Sequence, residues 1–485
     1  MGGQGLKITG MASDARPARP ATPTEIRERL ADVVRDGLPA AIADLSTLVR
    51  IPSVSWDGYD PRHVQESAET VASMLTALDV FDTVSIERAP LPGSEGLGQP
   101  AVLAHREPRN GRPTVMLYAH HDVQPPGADG EWQSPPFEPT LRGDRLYGRG
   151  VADDKAGVLA HVAAIRALLE AQGPDPDLGL VVFIEGEEEY GSRSFDAMLA
   201  AHRELLAADV IVVADSDNWS TTTPSLTVSL RGNAAFHLTV STLGHASHSG
   251  MLGGAAPDAM LALVRVLASL HDEDGAVAVE GLTSHAQEVP VITEERFRED
   301  AGLLEGVSPI GRGEILHRLW VQPAITVTGV DAPSVQNASN TLLPSVTAKV
   351  SCRVAPGQSA QEAFAAIERH IREHTPFGAH VSFSGVDLGD PFLVDTTGSA
   401  VDDVLTAMEE AWGEAPQLTG VGGSIPFIAQ LAQTFPEAQV LVTGVEDPQT
   451  RAHSPNESLH LGVFHRAILT EALLLARLDG AVRLP

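Results

Sequence analysis

The chain has 485 residues, of which 43% are hydrophobic and 20% are charged. This length predicts two or more domains, and the composition excludes a wholly disordered protein. The 64 acidic residues outnumber the 33 basic ones and give a net charge of −31. That charge argues against nucleic acid and anionic membranes as partners, because phosphate binding needs clustered lysine and arginine. The single cysteine, Cys352, excludes an intramolecular disulfide framework and a cysteine-based zinc site.

The first 24 residues differ in composition from the rest of the chain. Residues 1–24 are rich in Gly, Ala, Pro and Arg and lack the apolar centre of a signal peptide, so they predict a disordered tail. No apolar run in the chain approaches the roughly 18 residues of a membrane span. We therefore expect no membrane association and a cytoplasmic location.

Strands and helices alternate along the first half of the chain. Helical spacing predicts a helix from Thr24 to Val49, broken or kinked at Pro39, and a second one over 64–78. Short apolar runs predict buried strands at 113–120, 178–184 and 209–215, with helices at 156–171 and 194–206. This pattern is typical of the α/β class, a mostly parallel sheet sandwiched by helices.

The pattern changes after residue 226. Residues 226–242 alternate as one long antiparallel strand, followed by a helix at 257–271 and a charged, irregular stretch at 273–320. A strand near Pro323 and elements at 346–354, 360–374 and 380–386 complete an inserted α+β domain, 228–386. The α/β pattern resumes with helices at 399–412 and 464–478. The main domain therefore comprises 25–227 and 387–485.

Acids and histidines follow the predicted strands. Ligands of parallel sheets lie outside the carboxyl ends of the strands, where the sequence places His120, Asp122, Asp153, Glu188, Glu189, Asp215 and His453. Taken singly, each of these features is better explained as a turn, a helix cap or a surface residue. Together at one edge they predict a site for Zn²⁺, Mn²⁺ or Co²⁺.

Three neighbours of these residues are expected to have no part in the site. His121 faces away from His120 and Asp122, because alternate residues of an extended chain point to opposite sides. Glu185 and Glu187 share the acidic run EGEEEY (185–190) with the two glutamates of the predicted site. We expect these two carboxylates to be solvated or paired, and we assign them no role.

Several stretches resemble one family. They are YAHHDVQP (118–125), WQSPPFEPTLRGDRLYGRGVADDKAG (132–157), EGEEEYGS (185–192), LRG (230–232), SHSGMLGG (247–254), RVAPGQ (353–358), GGSIPFI (422–428) and RAHSPNE (451–457). In this order they resemble the dinuclear-zinc metallopeptidases, which include carnosinase-like dipeptidases, aminoacylase, glutamate carboxypeptidase and acetylornithine deacetylase. The long insert and the SHSG, GGSIP and AHSPNE motifs are most similar to the carnosinase-like branch.

The resemblance implies two divalent metal ions per chain, with Zn²⁺ favoured and Mn²⁺ or Co²⁺ as alternatives. His120 would bind one metal and His453 the other, Asp153 would bridge both, and Glu189 and Asp215 would each complete one of the two metals. The spacing to Pro224 and Gly232 favours Asp215 over Asp217 as the ligand. In relatives the peptide bond corresponding to Asp153–Asp154 is cis.

The resemblance also implies catalytic roles. Glu188 would be the general base, and Asp122 would hold that base or a ligand in place. The inserted domain would serve as a lid and dimerisation domain of a homodimer. Its His248 would reach the partner's active site as an oxyanion-stabilising donor.

Four further residues would bind substrate. Arg353 would hold the substrate carboxylate, since a guanidinium can clamp it with two hydrogen bonds. Gly423 and Ser424 would line the pocket through their backbone N–H groups, and Asn340 is a weaker candidate.

The function implied is hydrolysis of dipeptides or short peptides. An N-deacylase or carbamoyl hydrolase acting on acylated amino acids is the alternative, because both reactions use the same metals and base. A requirement for a free amine in the substrate would separate them. A non-catalytic binding or scaffold protein is a third possibility, against which the intact ligands and base argue.

Overall fold

A computed structural model describes residues 22–423 and 426–481. Its α-helices, in chain order, are α1 (Pro23–Val49), α2 (Pro61–Thr76), α3 (Lys155–Gln172), α4 (Phe195–Ala201), α5 (Ser249–Leu252), α6 (Ala259–Ser269), α7 (Glu294–Ala301), α8 (Ile315–Trp320), α9 (Ala360–His374), α10 (Ser399–Trp412), α11 (Pro426–Thr434) and α12 (Leu461–Leu478). Its strands are β1 (Thr83–Glu87), β2 (Ala101–Arg106), β3 (Thr114–His120), β4 (Thr140–Arg142), β5 (Arg145–Tyr147), β6 (Gly179–Glu185), β7 (Val210–Val213), β8 (Ser225–Leu230), β9 (Gly232–Ser241), β10 (Ser247–His248), β11 (Ala324–Asp331), β12 (Thr341–Leu342), β13 (Ser345–Val354), β14 (His380–Gly389), β15 (Phe392–Leu393), β16 (Gln417–Val421), β17 (Gln439–Val442) and β18 (Ser458–His460).

The first helix differs from its prediction at its first residue and at Pro39. It begins at Pro23, capped by Thr22, so the last residues of the predicted tail are ordered; residues 1–21 lie outside the described range. Pro39 was predicted to break or kink the helix, and the break does not occur, since α1 continues through it. Pro39 faces solvent, while Val34 and Ala41 on either side are buried in one core. Packing of this stripe outweighs the loss of one helical hydrogen bond.

A nine-stranded sheet forms the centre of the larger part of the molecule. Its order is β1-β2-β6-β3-β7-β17-β8-β15, with β16 also paired to β8. The strands β6, β3, β7 and β17 run parallel, whereas β1, β2 and β15 join it antiparallel. The α/β class is therefore confirmed, and the sheet is mixed, with its parallel strands at the centre.

Both faces of this sheet are covered. In β3, Val115 and Leu117 pack into a core that includes α1, α3, α10 and α12, while Met116 and Tyr118 pack into another that includes α4 and α11. The alternation follows from the two-residue period of a strand. Burial on both faces explains why β3 and β6 are apolar throughout rather than alternating.

A second, four-stranded antiparallel sheet has the order β11-β13-β9-β14 and packs against α6 and α9 around its own core. The prediction of one strand over 226–242 is wrong, because β8 belongs to the first sheet and β9 to the second. The chain crosses between them at Arg231 and returns between Gly389 and Phe392. A Cβ on Gly232 would lie 2.6 Å from the carbonyl oxygen of Gly389, so only glycine permits this close crossing.

The stretch 273–320 is mostly irregular and contains the short helices α7 and α8. Ile315 and Leu316 of α8 are buried, which anchors this stretch against the rest of the chain. Across the described residues, each helix is too short or too polar to cross a membrane.

Candidate metal centre

Potential metal ligands meet at one edge of the central sheet. The parallel strands β3, β6, β7 and β17 are neighbours, so their carboxyl ends share that edge. The side chains there come from the residues at or after these strand ends and from the turn before α3: His120, Asp153, Glu188, Glu189, Asp215 and His453. The topology thus brings together residues that are far apart in the chain.

Asp153 lies at the centre of this cluster. One of its carboxylate oxygens is 3.2 Å from Nε2 of His120, and the other is 2.9 Å from Nε2 of His453. Nε2 of His453 is also 3.3 Å from Glu189. The ligand atoms of Asp153, Glu189 and His453 all lie within 4.8 Å of one another, as do those of His120, Asp154 and Asp215. Two adjacent groups of ligands, joined by Asp153, fit a pair of metal ions.

Asp154 was not predicted as part of the cluster. Its Oδ2 accepts a hydrogen bond from the backbone N–H of His120 at 3.2 Å, and its Oδ1 is buried without a hydrogen-bond partner among the described residues. Burial, with the charge of Asp215, raises the pKa of Asp154 well above its usual value. The peptide bond between Asp153 and Asp154 is cis. The two adjacent aspartates in VADDK were the only feature of the sequence that pointed to Asp154.

The imidazole of His120 is oriented for metal binding. Its Nδ1 lies 3.1 Å from the backbone carbonyl oxygen of Asp122, which can only accept a hydrogen bond. Nδ1 therefore carries the proton. Nε2 is buried without a hydrogen-bond partner in the described chain, which is the condition of a nitrogen available to a metal.

The carboxylate of Asp122 ties several parts of the site together. It accepts hydrogen bonds from the backbone N–H groups of Glu188 and Glu189, both at 3.1 Å, and from the hydroxyl of Ser55 at 2.7 Å. It also lies 3.4 Å from Nδ1 of His120. Asp122 thus positions the acidic turn and one imidazole at once.

The cluster contains more carboxyl groups than imidazoles. Burial raises the pKa of Asp153, but the adjacent imidazoles of His120 and His453 outweigh it and hold that pKa below its usual range. Hydrogen bonds to Asp153 and Glu189 raise the pKa of His453 to about 11. Burial raises the pKa of Glu189 to about 7 and that of Asp215 to about 6. Carboxylates that resist ionisation in the protein alone would be stabilised by divalent cations.

Glu188 stands beside the ligand groups. Its Oε2 is 3.9 Å from Nε2 of His120, and it lines the cavity next to the cluster. Burial, with the charges of Asp215 and Glu189, raises the pKa of Glu188 well above its usual value, although His120 opposes this. A carboxyl group in this position can take up and release a proton.

The other acids of EGEEEY are buried and hydrogen-bonded, so the expectation of pairing holds and that of solvation does not. Glu187 accepts hydrogen bonds from the backbone N–H of Ser194 at 2.7 Å and of Gln99 at 3.2 Å. Glu185 accepts one from the Tyr118 hydroxyl at 2.5 Å, and burial raises its pKa to about 8. The burial of these two glutamates could not be predicted, because an acidic run in a sequence is usually solvated.

The loop that carries His453 is fastened by residues that were not singled out in the sequence. Glu457 accepts hydrogen bonds from Arg149 at 2.6 Å and from the backbone N–H groups of Gly150, Ala152 and Asp153 at 3.0 to 3.2 Å. The side-chain oxygen of Asn456 accepts a hydrogen bond from the backbone N–H of Gln133, and its amide nitrogen donates one to the carbonyl oxygen of Glu131, both at 2.9 Å. These contacts fix the His453 loop relative to the Asp153 turn. Asn456 and Glu457 both belong to the motif AHSPNE, which is the feature of the sequence that could have identified them.

Asp215 and Asp217, the two candidates for one metal ligand, differ in their distance from the cluster. Asp215 belongs to the cluster, whereas Asp217 lines the cavity beyond it. His121 faces away from the cluster, with Nε2 2.9 Å from the carbonyl oxygen of Pro100. Burial lowers the pKa of His121 to about 4.

The predicted substrate residues are not brought to the cluster within one chain. His248 is exposed on the two-stranded ribbon β10–β12, where the Asn340 carbonyl accepts a hydrogen bond from Ser249 at 2.9 Å. Arg353 lies on β13 of the second sheet. None of His248, Asn340 and Arg353 lines the cavity, while Gly423 follows a lining residue, Gly422. Ser424 lies outside the described residues.

Comparisons with known proteins place the chain in a family. The sequence model of peptidase family M20/M25/M40 matches residues 116–477. The chain belongs to this peptidase family. It is therefore a metal-dependent hydrolase, and its M20/M25/M40 region includes every ligand of the cluster described above.

Members of the family resemble this chain over most of its length. It is 36% identical over 425 residues to the cysteinylglycine-S-conjugate dipeptidase of Corynebacterium striatum, covering 86% of this chain and 92% of that protein. It is 28% identical to the Cys-Gly metallodipeptidase dug1 of Schizosaccharomyces pombe, covering 91% and 96%.

Solved structures show the same fold. That of the dipeptidase Dug1p from Saccharomyces cerevisiae matches with a TM-score of 0.75 at 23% identity, covering 94% of this chain and 99% of that one. Human carnosine dipeptidase 1 matches with a TM-score of 0.73 at 22% identity, covering 95% and 100%.

Proposed function

We propose that this chain hydrolyses the peptide bond of dipeptides or short peptides with two divalent metal ions. The observation that carries the proposal is the position of Asp153, whose two oxygens face His120 and His453 at 3.2 and 2.9 Å. The dipeptidase names of the relatives support the substrate class.

The ligands divide between the two metals around Asp153. His120 and Asp215 would hold one ion, and Glu189 and His453 the other, with Asp153 shared. Nitrogen and oxygen ligands without cysteine favour Zn²⁺, with Mn²⁺ or Co²⁺ as alternatives. When bound, such ions make water a better nucleophile at neutral pH and polarise the carbonyl group.

The residues of the chain then have separate tasks. Glu188 takes a proton from the attacking water and delivers it to the leaving amine. Asp122 keeps Glu188 in place through the backbone N–H bonds described above, and it holds the His120 ring. Neither task requires movement of the central sheet.

Substrate binding needs a second copy of the chain. We propose a homodimer in which the inserted domain, 228–386, acts as lid and brings His248 to the partner's site as a donor to the developing oxyanion. The exposure of His248 and its separation from the cavity support this arrangement. Arg353 would hold the substrate carboxylate, with Asn340, Gly423 and Ser424 nearby.

Two further assignments accompany this proposal. The catalytic domain would comprise 25–227 and 387–485. The separate cores of the two sheets support a division into two domains, and the chain crosses between the sheets a few residues later, at Arg231 and between Gly389 and Phe392. A cytoplasmic location stays a prediction from the sequence.

The test is hydrolysis of a panel of dipeptides and N-acyl amino acids by purified protein, with metal content measured before and after chelation. We expect two metals per chain and release of free amino acids from dipeptides, lost on chelation and restored by Zn²⁺ or Mn²⁺. Cleavage of N-acyl amino acids alone would assign the chain to the deacylases. Full activity without metal would contradict the proposal.

A further inference from the structure

The inserted domain contains a second cavity, separate from the one beside the metal cluster. Its volume is about 440 Å³, which is within the usual range for a small-molecule site. It lies between the irregular stretch 273–320 and the start of β11, where Ala324 and Ile325 line it. None of the described residues assigned to the reaction above, including Arg353, lines this second cavity.

The helices α7 and α8 separate the two cavities. Residues four apart share a face of a helix, and one face of each helix lines the cavity beside the cluster, with Arg296, Asp300, Leu316 and Trp320. Adjacent positions of the same helices line the second cavity, with Phe297, Ile315, Arg318 and Leu319. A molecule in the second cavity would therefore be divided from the metal cluster by this wall.

The second cavity is lined by positive charge, although the chain as a whole is strongly acidic. Its described lining includes Arg231, Arg312 and Arg318 but no aspartate or glutamate, in a chain with 64 acidic and 33 basic residues. Arg312 is compensated from outside the lining by Asp272 and Asp274, at 2.6 and 2.7 Å. The charges of Arg231 and Arg318 are left to explain.

Arg231 is a buried cation that meets only backbone groups. It is 7% exposed, and it donates hydrogen bonds to the carbonyl oxygens of Gly422, Arg318 and Gln322 at 2.9 to 3.3 Å. Its Nη2 has no acceptor among the described residues. Burial, with the charge of Arg353, lowers the pKa of Arg231 to about 10, so the guanidinium stays protonated at neutral pH. Buried charges are normally paired, and an anionic ligand would pair this one.

Arg318 lines the same cavity from α8. Its guanidinium donates to the carbonyl oxygens of Ile310 and Gly313 at 2.5 to 3.0 Å, and no described carboxylate pairs with it. The rest of the lining is mainly apolar, with Val277, Val279, Leu282, Phe297, Ile315 and Ile325. The lining therefore combines two uncompensated guanidinium groups, which suit a carboxylate, with a surface that suits an apolar body.

We propose that the second cavity binds a small organic carboxylate with an apolar body, held by Arg231 and Arg318. The site is distinct from the substrate position proposed at Arg353, and it does not depend on the proposed function. Because Arg231 bonds both Gly422 and the end of α8, the ligand would contact elements that also line the cavity beside the cluster.

The test compares 3-phenylpropanoate with 3-phenylpropanamide, which has the same shape without the charge. Binding is measured by calorimetry on the metal-loaded, full-length protein, so that no turnover is needed. We expect the carboxylate to bind and the amide to bind at least about 10-fold more weakly, because hydrogen bonds to a charged group are the stronger ones.

Two variants locate the bound carboxylate. Arg318→Gln should weaken its binding by about 10-fold or more. Ala276→Leu should also abolish binding without changing any charge, because Ala276 lines the cavity and a larger side chain would fill it. Ala278→Leu is the matched control, since Ala278 is exposed and outside the lining, and it should leave binding unchanged. The melting temperature of each variant should match that of the parent.

Kinetics separate this cavity from the metal centre. An effect of 3-phenylpropanoate on the KM for leucylglycine should saturate and should be lost in Ala276→Leu, because the ligand acts from behind α8. A KM that rises without limit, equally in the parent and in Ala276→Leu, would place the carboxylate at the metal centre and overturn the site.

Three calorimetric results would also overturn it: no binding of the carboxylate at about 10 mM, equal binding of the two compounds, or binding unchanged in both Arg318→Gln and Ala276→Leu. If the chain hydrolyses no dipeptide but the carboxylate binds and Ala276→Leu abolishes that binding, the proposed function fails and the second site stands.

Discussion

The edge of the central sheet and the β10–β12 ribbon both carry predicted catalytic residues, but only the first assembles a site within one chain. At the sheet edge, Nε2 of His120 and Nε2 of His453 lie 3.2 and 2.9 Å from the two carboxylate oxygens of Asp153. On the ribbon, His248 is exposed and Gly250 is the donor to its Nδ1 at 3.0 Å. Motifs in both regions resemble the same family.

The difference teaches that a motif does not by itself place its residues next to one another within a chain. Parallel strands force their ends to a common edge, so the ligands converge as soon as the sheet forms. No such constraint acts on a two-residue strand of a separate sheet. Its histidine therefore lies apart from the cavity beside the cluster.

The largest expected effect is at the sheet edge. Glu188→Gln should lower kcat about 10⁴-fold, because the proton transfer loses its base. Two metals should stay bound, since Glu188 stands outside both ligand groups. Steady-state kinetics with metal analysis checks this.

Glu187→Gln is the matched control for that variant, since Glu187 is in the same turn but bonds Ser194 and Gln99. Its kcat should be close to that of the unchanged protein. Loss of metal from Glu188→Gln would instead make Glu188 a ligand.

The second-largest effect is expected from His248 on the β10–β12 ribbon. His248→Ala should lower kcat about 10²- to 10³-fold, as removal of an oxyanion donor does. Co-expression of differently tagged His248→Ala and Glu188→Gln chains should restore activity. Half of the dimers are mixed and each has one complete site, so about a quarter of the full activity is expected.

Purified mixed dimers that remain inactive would contradict action across the interface. Full activity of His248→Ala alone would remove the residue from the mechanism. In either case the ribbon would lose its role while the metal centre kept its own.

A smaller effect is expected for the residue that acts through others. Asp122→Asn should weaken metal affinity or lower kcat by about 10- to 100-fold, because it removes the carboxylate that holds the turn at Glu188 and lies 3.4 Å from Nδ1 of His120. Chelator competition and kinetics measure the two quantities separately. Ser55→Ala, which removes one donor to Asp122, should give a weaker effect in the same direction, and a stronger one would argue against this account.

The smallest effect on activity comes with a measurable loss of stability. Glu187→Gln replaces a buried acceptor of several hydrogen bonds, so the free energy of unfolding should fall by about 1–3 kcal/mol while kcat is retained. Denaturant unfolding of the chelated protein measures this. A fall in kcat without a loss of stability would place Glu187 in the catalytic site instead.

Much of the fold followed from local patterns. The helices over 360–374 and 399–412 have the predicted bounds, because their apolar stripes and caps are local. The strand predicted over 226–242 failed because alternation continues through Arg231 while the chain changes sheets. Pro39 does not end α1, because packing of the helix on α3 and α12 outweighs the local preference of proline.

By itself the sequence determined which residues could bind metal and that they follow strands. His120, Glu189 and Asp215 could be placed at one edge because strand order and direction are limited by the α/β pattern. Only the tertiary structure decided the parts that depend on distant contacts. Glu457 bonds Gly150, 307 positions away, and the backbone of Glu446 forms a parallel β-bridge with that of Asp217. Such contacts have no local signature, because burial and charge pairing arise when separate segments pack together.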